Sequence, residues 1–420
     1  MRYAIVMILL MVLLGGLSCA GRNVPKDREA SEQALEKIEA SDFPYTLFNK
    51  SVEDDKNLFF SPYSISTALS MAWVGAENNT ALQMAALLGY SLPKDEQIKL
   101  IRQSQSILND LGKNGKATLT VANALFDARR YEHLLMPKFK KSIRENFQAE
   151  MFSLDFDDAV GSADFVNSWV EQKTAKRIKN LITPDHIRGS NDGMVLVNAI
   201  YFNGMWKKKF NPDFTMEDRF YTVSNPGDKS HSKNVMMMHA RDIYPHAKVP
   251  GYQILELPYE EGELSMMIIL PDDIAKAEKE LSATLVKSWQ KELKERELKI
   301  FIPKFKLDTA LPNLSKTLKE LGMTDAFNSK SADFSGIRNP QGGPGLYIMD
   351  VIHKAFVEVK EEGTEAAAAT GIVMATKSAA TPPPEVPVFR ADRPFIYMIM
   401  HKASNTPLFM GKFCDPPKLP

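Results

Sequence analysis

The sequence predicts a mixed α+β domain whose strands are mostly antiparallel. The chain has 420 residues, of which 44% are hydrophobic and 25% are charged, as expected for a protein with a large buried core. Segments with helical spacing and segments that read as strands are mixed along the chain, without regular strand–helix alternation. This pattern favours an α+β arrangement over a doubly wound parallel sheet.

Composition argues against several classes of protein. The chain carries 52 Lys and Arg residues against 52 Asp and Glu residues, so we expect no general attraction to nucleic acid or to an anionic membrane. Cys19 and Cys414 are the only cysteines. Two cysteines exclude a disulfide scaffold and a zinc site built on several thiolates.

The first 19 residues predict a secretory signal peptide. The apolar run from Tyr3 to Leu14 has 12 residues, and at ~1.5 Å per residue a helix of this length cannot cross a ~30 Å hydrocarbon core. The triplet ending at Cys19 resembles a bacterial lipoprotein cleavage box in which Cys19 becomes lipidated, although Gly16 stands where that box usually has a large aliphatic residue. The triplet ending at Ala20 instead fits small-x-small cleavage, which would remove Cys19. We therefore expect export, either as a lipoprotein on the outer surface or in the periplasm, or as a secreted protein.

The rest of the chain reads as a tether followed by one domain. Residues 20–40 are expected to form the tether and the start of a first helix, and residues 41–420 a single domain. Ser61 and Pro62 suit the cap and first turn of another helix, in which apolar residues recur at a spacing of three to four. Strand-like segments are Leu119–Phe126, Met194–Phe202, Tyr252–Leu257, Leu264–Leu270, Lys299–Leu307, Tyr347–Val359, Phe395–Met400 and Leu408–Phe413.

One segment, at about residues 361–390, does not fit this pattern. It is rich in alanine and contains three consecutive prolines, which cannot continue a helix or a central strand. A connection of this length is uncommon in a compact domain unless it has a function. Composition alone leaves an alanine-rich helix with a polyproline linker, or a disordered spacer, as alternatives.

No sequence motif indicates an enzyme. The seven histidines show no HExxH spacing, and the chain has no G-x-S-x-G, no Walker loop, no G-x-G-x-x-G and no CxxC. We therefore expect no catalytic residues, no metal and no cofactor, and we predict that the chain is not an enzyme. Two small basic clusters are read as solvated surface, with a polyanion site as the alternative. They comprise Lys207, Lys208 and Lys209, and Lys138, Lys140, Lys141 and Arg144.

The sequence strongly resembles the serpin family, and with the first 19 residues it is expected to be an exported, prokaryotic member of the lipoprotein type. Seven stretches match in the family's order, and they extend from about Ser41 to Pro417. They are Asn57–Ser66, Leu196–Trp206, Ile302–Phe305, Leu321–Phe327, Ala332–Ile337, Ile352–Thr370 and Pro407–Pro416. The resemblance implies three β-sheets surrounded by eight or nine helices, with residues 361–390 as an exposed reactive loop.

The resemblance also implies a function. Serpins are metastable suicide inhibitors of serine proteases and sometimes of cysteine proteases. The protease cleaves the loop and forms an acyl-enzyme, and the cleaved loop then enters the large sheet as an extra strand. The expected partner is therefore a target serine protease held covalently by a monomeric inhibitor, with no nucleic acid. If Cys19 is lipidated, it would also anchor the protein to a membrane. A non-inhibitory serpin that acts as a binding or substrate protein is the alternative, and a hydrolase is kept only formally.

The residues of the loop suit insertion. Alternate side chains of a strand face opposite sides, and the face that begins with Thr364 carries no charge as far as Met374. Burying a charge there would cost several kcal/mol. The other face carries one charge, Glu365, near the entrance. The hinge residues implied by the family are Glu361, Gly363, Thr364, Glu365, Ala366, Ala367, Ala368, Ala369 and Thr370.

Counting from Glu361 as in the family puts the reactive bond at Lys377–Ser378. A basic residue before the bond favours trypsin-like proteases, which have an acidic specificity pocket. The stretch from Lys377 to Pro394 is longer than in familiar relatives, and an alternative count moves the bond towards Ala380. Residues near that position would suit elastase-like or subtilisin-like enzymes.

Further positions match a cluster that controls opening of the large sheet. Ser61, Ser64, Asn198 and His353 correspond to a polar network beneath the opening. Trp206 corresponds to the aromatic residue at the insertion point. Lys304 and Glu361 correspond to an ion pair that we expect to be exposed and worth only ~0–1 kcal/mol.

Overall fold

The computed structural model confirms a mixed α+β fold. It describes residues 41–110, 117–147, 149–188, 193–223, 229–260, 262–341, 343–364 and 386–417. These residues form ten α-helices and fifteen strands. The helices are α1 Phe43–Ser51, α2 Pro62–Val74, α3 Asn78–Leu88, α4 Lys94–Asp110, α5 Pro137–Phe147, α6 Ala159–Lys173, α7 Pro184–Arg188, α8 Ile274–Glu280, α9 Ala283–Glu292 and α10 Leu314–Glu320.

The strands form two hydrogen-bonded sheets. They are β1 Leu58–Phe60, β2 Ala117–Ala128, β3 Glu150–Leu154, β4 Met194–Met205, β5 Met216–Tyr221, β6 Ser232–Val249, β7 Tyr252–Pro258, β8 Leu264–Pro271, β9 Lys294–Pro303, β10 Phe305–Ala310, β11 Ile348–Val359, β12 Gly363–Thr364, β13 Val388–Arg390, β14 Phe395–His401 and β15 Thr406–Phe413. Most neighbouring strands are antiparallel, as predicted. The pairs β2–β3, β4–β11 and β9–β13 are parallel.

The six-stranded sheet has the order β10-β11-β12-β4-β2-β3. The other sheet has nine strands in the order β1-β15-β14-β8-β7-β6-β9-β13, with β5 paired to β6. The expectation of three separate sheets is corrected by β6, which runs without interruption for 18 residues. It pairs with β5 and β9 along one part and with β7 along the other, so it joins two sheets into one.

Helix α2 starts as the sequence predicts. The Ser61 hydroxyl accepts a hydrogen bond from the backbone N–H of Ser64 at 3.1 Å, and Pro62 occupies the first turn. Both features suit a helix N-terminus, where backbone N–H groups lack intrahelical partners. Almost every residue of α2 is buried, so this helix lies in the core and holds its cap residues next to the two sheets.

The predicted strand Lys299–Leu307 is two strands in different sheets. Strand β9 pairs with β6, whereas β10 pairs with β11 in the other sheet. The chain changes sheets at Lys304, whose backbone N–H donates to the carbonyl of Met236 at 2.7 Å. The sequence could not reveal this change because strand-like residues continue on both sides of it.

The described residues contain no helix that is both long enough and apolar enough to span a membrane. They also contain no group of three or more His, Cys, Asp or Glu side chains placed to hold a metal ion. Cys414 lies buried in the core, and burial raises the pKa of its thiol to about 12. The thiol is therefore protonated near neutral pH and is a poor nucleophile.

Candidate functional site

The candidate site is the end of the six-stranded sheet where β12 lies between β4 and β11. Gly363 and Thr364 pair antiparallel with Met205 and Gly204 of β4. Thr364 also pairs with Val359 of β11. Two residues at the start of the predicted loop therefore already occupy a strand position inside the sheet.

Gly363 fits this position because its backbone approaches β4 closely. A Cβ atom at Gly363 would lie 2.1 Å from the carbonyl oxygen of Gly204. A contact this short requires the backbone to move, so a residue with a side chain would displace β12 from β4. The glycine therefore permits the chain to enter the sheet at this point.

Thr364 is completely buried, and its hydroxyl group has a hydrogen-bond partner. Its hydroxyl lies 2.7 Å from the hydroxyl of Tyr259, within hydrogen-bond distance. The Tyr259 ring stacks on Trp206 with ring centroids 4.7 Å apart. The Trp206 indole N–H in turn donates to the carbonyl of Lys360 at 2.9 Å. The two aromatic residues thus form the floor on which the start of the loop rests.

The three residues before Gly363 are anchored to the chain that follows β4. The backbone N–H of Trp206 donates to the carbonyl of Glu362, and that of Phe210 donates to the carbonyl of Glu361, each at 2.9 Å. Together with the Lys360 contact, these bonds fix residues 360–362 by three successive carbonyl groups. Gly363, the first residue of β12, therefore follows directly on a fixed segment.

The Lys304–Glu361 pair forms, but the expectation that it is exposed is wrong. Only 4% of Glu361 is accessible to solvent, and its carboxylate lies 2.9 Å from the Lys304 ammonium group. The Thr215 hydroxyl donates to the same carboxylate at 2.8 Å. Burial opposes ionisation of Glu361, yet the hydrogen bonds from Lys304, from a backbone N–H and from Thr215, together with the charge of Lys304, outweigh it and lower the pKa of the carboxyl group. Because one partner is buried, the low value for exposed pairs does not apply.

Below β12 the sheet is closed by direct pairing of β4 and β11. Their parallel register runs from Met194 opposite Ile348 to Tyr201 opposite Phe356. Asn198 and His353 lie opposite each other within this register. An additional strand could enter only if these direct contacts separated.

The polar residues matched from the sequence lie together at this closure. The His353 Nδ1 atom hydrogen-bonds to the Asn198 side-chain oxygen, and Nε2 accepts from the backbone N–H of Ser61 at 3.0 Å. Acceptance at Nε2 requires a neutral ring that carries its proton on Nδ1. Complete burial accounts for this state, because it lowers the pKa of His353 to about 3.

The network extends from His353 into α2 and β2. The Asn198 amide nitrogen donates to the Ser64 carbonyl at 2.8 Å and also contacts the Ser64 hydroxyl and the Asn123 side-chain oxygen. The Ser61 hydroxyl donates to the carbonyl of Leu408 at 2.6 Å. The network therefore connects α2 with β2, β4, β11 and β15.

Sequence reasoning missed three residues of this site, namely Asn123, Thr215 and Tyr259. Each meets its partner across 75 or more positions of the chain. No local pattern marks such contacts, because they depend on how the strands are arranged.

Other predicted residues lie outside the described part of the chain. They are Cys19, Glu365, Ala366, Ala367, Ala368, Ala369, Thr370, Lys377 and Ser378. The structure therefore leaves the reactive bond, most of the hinge and the lipidation site as predictions.

Sequence comparison identifies close similarity to known inhibitors. A family model described as serpin (serine protease inhibitor) matches residues 39–416. The leukocyte elastase inhibitor of Xenopus laevis is 38% identical over 389 residues, which cover 89% of this chain and 97% of that protein. Serpin B6 of Pongo abelii is 40% identical over 377 residues, covering 87% of this chain and 94% of that protein.

Solved structures agree with this result. Human thyroxine-binding globulin complexed with its hormone is 28% identical and superposes with a TM-score of 0.79, covering 92% of this chain and all of the other. The two curated relatives come from vertebrates. They therefore give no support to the prokaryotic, lipoprotein-type origin expected from the first 19 residues.

The plain expectation that the chain is not an enzyme needs correction, because it does not mention the serine proteases on which this family acts. The matched family model describes inhibitors of serine proteases, and one relative is named for the protease that it inhibits. The chain is better classified by the class of enzyme that its family inhibits than by its lack of catalytic motifs. With a match that covers nearly its whole length, the chain belongs to the serpin family of serine protease inhibitors.

Proposed function

We propose that this protein is a suicide inhibitor of serine proteases, most readily of trypsin-like ones. A protease cleaves the loop at Lys377–Ser378 and remains attached as an acyl-enzyme through the carbonyl of Lys377. The new end of the chain then enters the six-stranded sheet between β4 and β11, and the attached protease moves with it. The single observation that carries the proposal is β12, because its two residues already have this position.

The register of β12 predicts where later residues would go. Thr364 lies opposite Gly204 and Val359, and in antiparallel pairing each step forward along one strand is a step back along the other. Continuation for six residues brings Thr370 opposite both Asn198 and His353. We infer that the Thr370 hydroxyl enters between these two side chains, which bond directly to each other before insertion.

The side chains that would be buried suit this route. Thr364 faces the core and is fully buried, so residues at even positions as far as Met374 would face the same way. None of these residues is charged. The 15 residues from Gly363 to Lys377 would extend roughly 50 Å as a strand at ~3.3 Å per residue. A covalently attached protease would therefore move by about the length of a domain.

Two protease classes remain to be compared. Lys377 suits an acidic specificity pocket, whereas small residues near Ala380 would suit an elastase. The leukocyte elastase inhibitor of Xenopus laevis supports testing an elastase as well. A loop of this composition could also present bonds to subtilisin-like or cysteine proteases.

The decisive experiment is incubation of the protein with trypsin and, separately, with pancreatic elastase. We expect a complex with trypsin that survives boiling in detergent, together with a peptide released by cleavage after Lys377, identified by mass spectrometry. Lys377→Ala should abolish the trypsin complex without changing folding, whereas Lys287→Ala, at an exposed lysine of α9, should leave the complex unchanged. Cleavage without any stable complex would contradict the inhibitory mechanism.

The second candidate is a serpin-fold binding protein that does not inhibit. Structural similarity to human thyroxine-binding globulin favours it, because that protein is described in complex with thyroxine. The two functions differ in the fate of the cleaved chain. A binding protein could be cut by trypsin without retaining it, whereas the proposed inhibitor retains it covalently.

We further propose that the inhibitor is exported through residues 1–19 and acts as a monomer. The apolar run before Cys19 supports export, and the triplet ending at Cys19 supports a lipid anchor. Expression in a bacterial host with labelled palmitate would test the anchor. Incorporation that disappears in Cys19→Ser is expected, and a mature chain that begins after Cys19 would contradict lipidation.

A further inference from the structure

A cavity of about 590 Å³ lies beside the free edge of the six-stranded sheet, remote in sequence from the loop. Its walls come from the 3-10 turn Arg129–Leu134 with the residue after it, from α5, and from residues 149–153 at β3. Strand β3 is the last strand of its sheet. The volume is in the range of sites that bind small molecules, roughly 300–1,000 Å³.

Part of the wall is apolar. Leu135 and Ile143 are buried in the core, and Ala149 and Met151, which pack against the same cluster, are half-buried where they line the cavity. These side chains would contact the apolar body of a ligand and remove it from water. An aromatic or aliphatic group would therefore fit the inner part of the cavity.

The structure divides the basic cluster of α5 into two pairs. Lys140 and Arg144 line the cavity together with Ile143, because residues three and four apart share one face of a helix. Lys138 and Lys141 are exposed and do not line it, and Lys141 faces Glu145 at 3.9 Å. Two of the four cations, Lys140 and Arg144, thus lie at the cavity, although Arg144 is also exposed to solvent, and the other two lie away from it.

The cavity cations have no carboxylate partner within ion-pair distance among the described residues. Of the nearby acids, Glu150 is bound by Lys173 at 2.5 Å, and Asp127 is bound by the buried Arg338 and is also influenced by the charge of Lys140. Glu132 lies exposed on the turn. After these pairings, the two cations at the cavity exceed the one remaining carboxylate, so the local charge is positive.

We propose that this cavity binds an amphipathic organic anion, with an aromatic or aliphatic body and a carboxylate or sulfonate group. The apolar body packs against Leu135, Ile143 and Met151. The acidic group accepts hydrogen bonds from Lys140 and Arg144, which charge assistance strengthens. The site is separate from the loop and needs no cleavage.

A matched pair of fluorescent probes tests this proposal on the intact, uncleaved protein. The anionic probe is 1-anilinonaphthalene-8-sulfonate, and N-phenyl-1-naphthylamine is its counterpart without the sulfonate. We expect the anionic probe to bind with one-to-one stoichiometry and at least about tenfold more tightly than the neutral one, since loss of charge-assisted hydrogen bonds has about this effect.

Variants then locate the site. Lys140→Ala combined with Arg144→Ala should weaken anionic-probe binding about tenfold or more, whereas Lys138→Ala combined with Lys141→Ala should leave it unchanged. Ile143→Trp, which fills the cavity, should abolish binding of both probes. Equal weakening by the two double variants, or equal affinity for the two probes, would overturn the proposal. Because no protease is present, these results do not depend on whether the protein inhibits one.

Discussion

At the scale of single residues, His353 couples stability to pH. Its ring is neutral and buried, with a folded-state pKa of about 3 against the ordinary value of 6.5. Burial also lowers the pKa of His246 to about 4. Between these values and pH 6.5 the unfolded chain binds more protons than the folded one, so stability is complete above pH 6.5 and falls as the pH decreases.

We therefore expect His353 alone to reduce the free energy of unfolding by about 2 kcal/mol between pH 7 and pH 5. Urea titrations at several pH values measure this slope. His353→Gln should lower stability at pH 7 but make its dependence on pH shallower, because one titrating group has been removed. His133→Gln, at an exposed position of the 3-10 turn, serves as the control. An unchanged slope in His353→Gln would refute the assigned role.

At the scale of an element, β12 is the shortest strand among the described residues, but it determines what can follow it into the sheet. Thr364 is enclosed next to Tyr259 and has no access to solvent. A longer or charged side chain there would have to lose its hydration without a partner, at a cost of several kcal/mol. The residue therefore controls entry of all later residues.

Thr364→Arg should convert the inhibitor into a substrate. We expect trypsin to cleave the variant at Lys377 while forming little or no stable complex, because insertion becomes slower than release of the protease. The number of inhibitor molecules consumed per protease molecule inactivated measures this partition. Val388→Arg places the same side chain at an exposed position of β13, on the far side of the reactive bond from Thr364, and should leave the number unchanged. Persistent inhibition by Thr364→Arg would disprove entry at β12.

At the scale of the whole molecule, insertion should make the cleaved chain more stable than the intact one. Some twelve residues would gain ladder hydrogen bonds, each worth ~0.5–1.5 kcal/mol, which for a chain of this size corresponds to a rise of about 10–20 °C in Tm. Calorimetry before and after cleavage at the loop measures this change. In Thr370→Arg the rise should disappear, since the charge would meet the buried network of Asn198 and His353. A cleaved wild-type chain without any rise would contradict insertion.

The sequence was sufficient to predict the fold class and most strands, because alternation and apolar runs are local properties. It also located the polar cluster of Ser61, Ser64, Asn198 and His353 through resemblance to the family. It could not reveal the change of sheet at Lys304 or the burial of Glu361, since both depend on how distant strands pack. Tyr259 and Asn123 escaped prediction for the same reason.

The three successive carbonyl hydrogen bonds at residues 360–362 hold the chain in place before the loop. The distance that the cleaved end of the loop moves on insertion therefore depends only on the number of residues after them. Deleting two residues between Thr364 and Lys377 would shorten that distance by ~6.6 Å and preserve which side chains face inward. Deleting one residue would turn every later side chain towards the opposite face. Evolution can therefore change the length of the inserting segment in steps of two residues more readily than in steps of one.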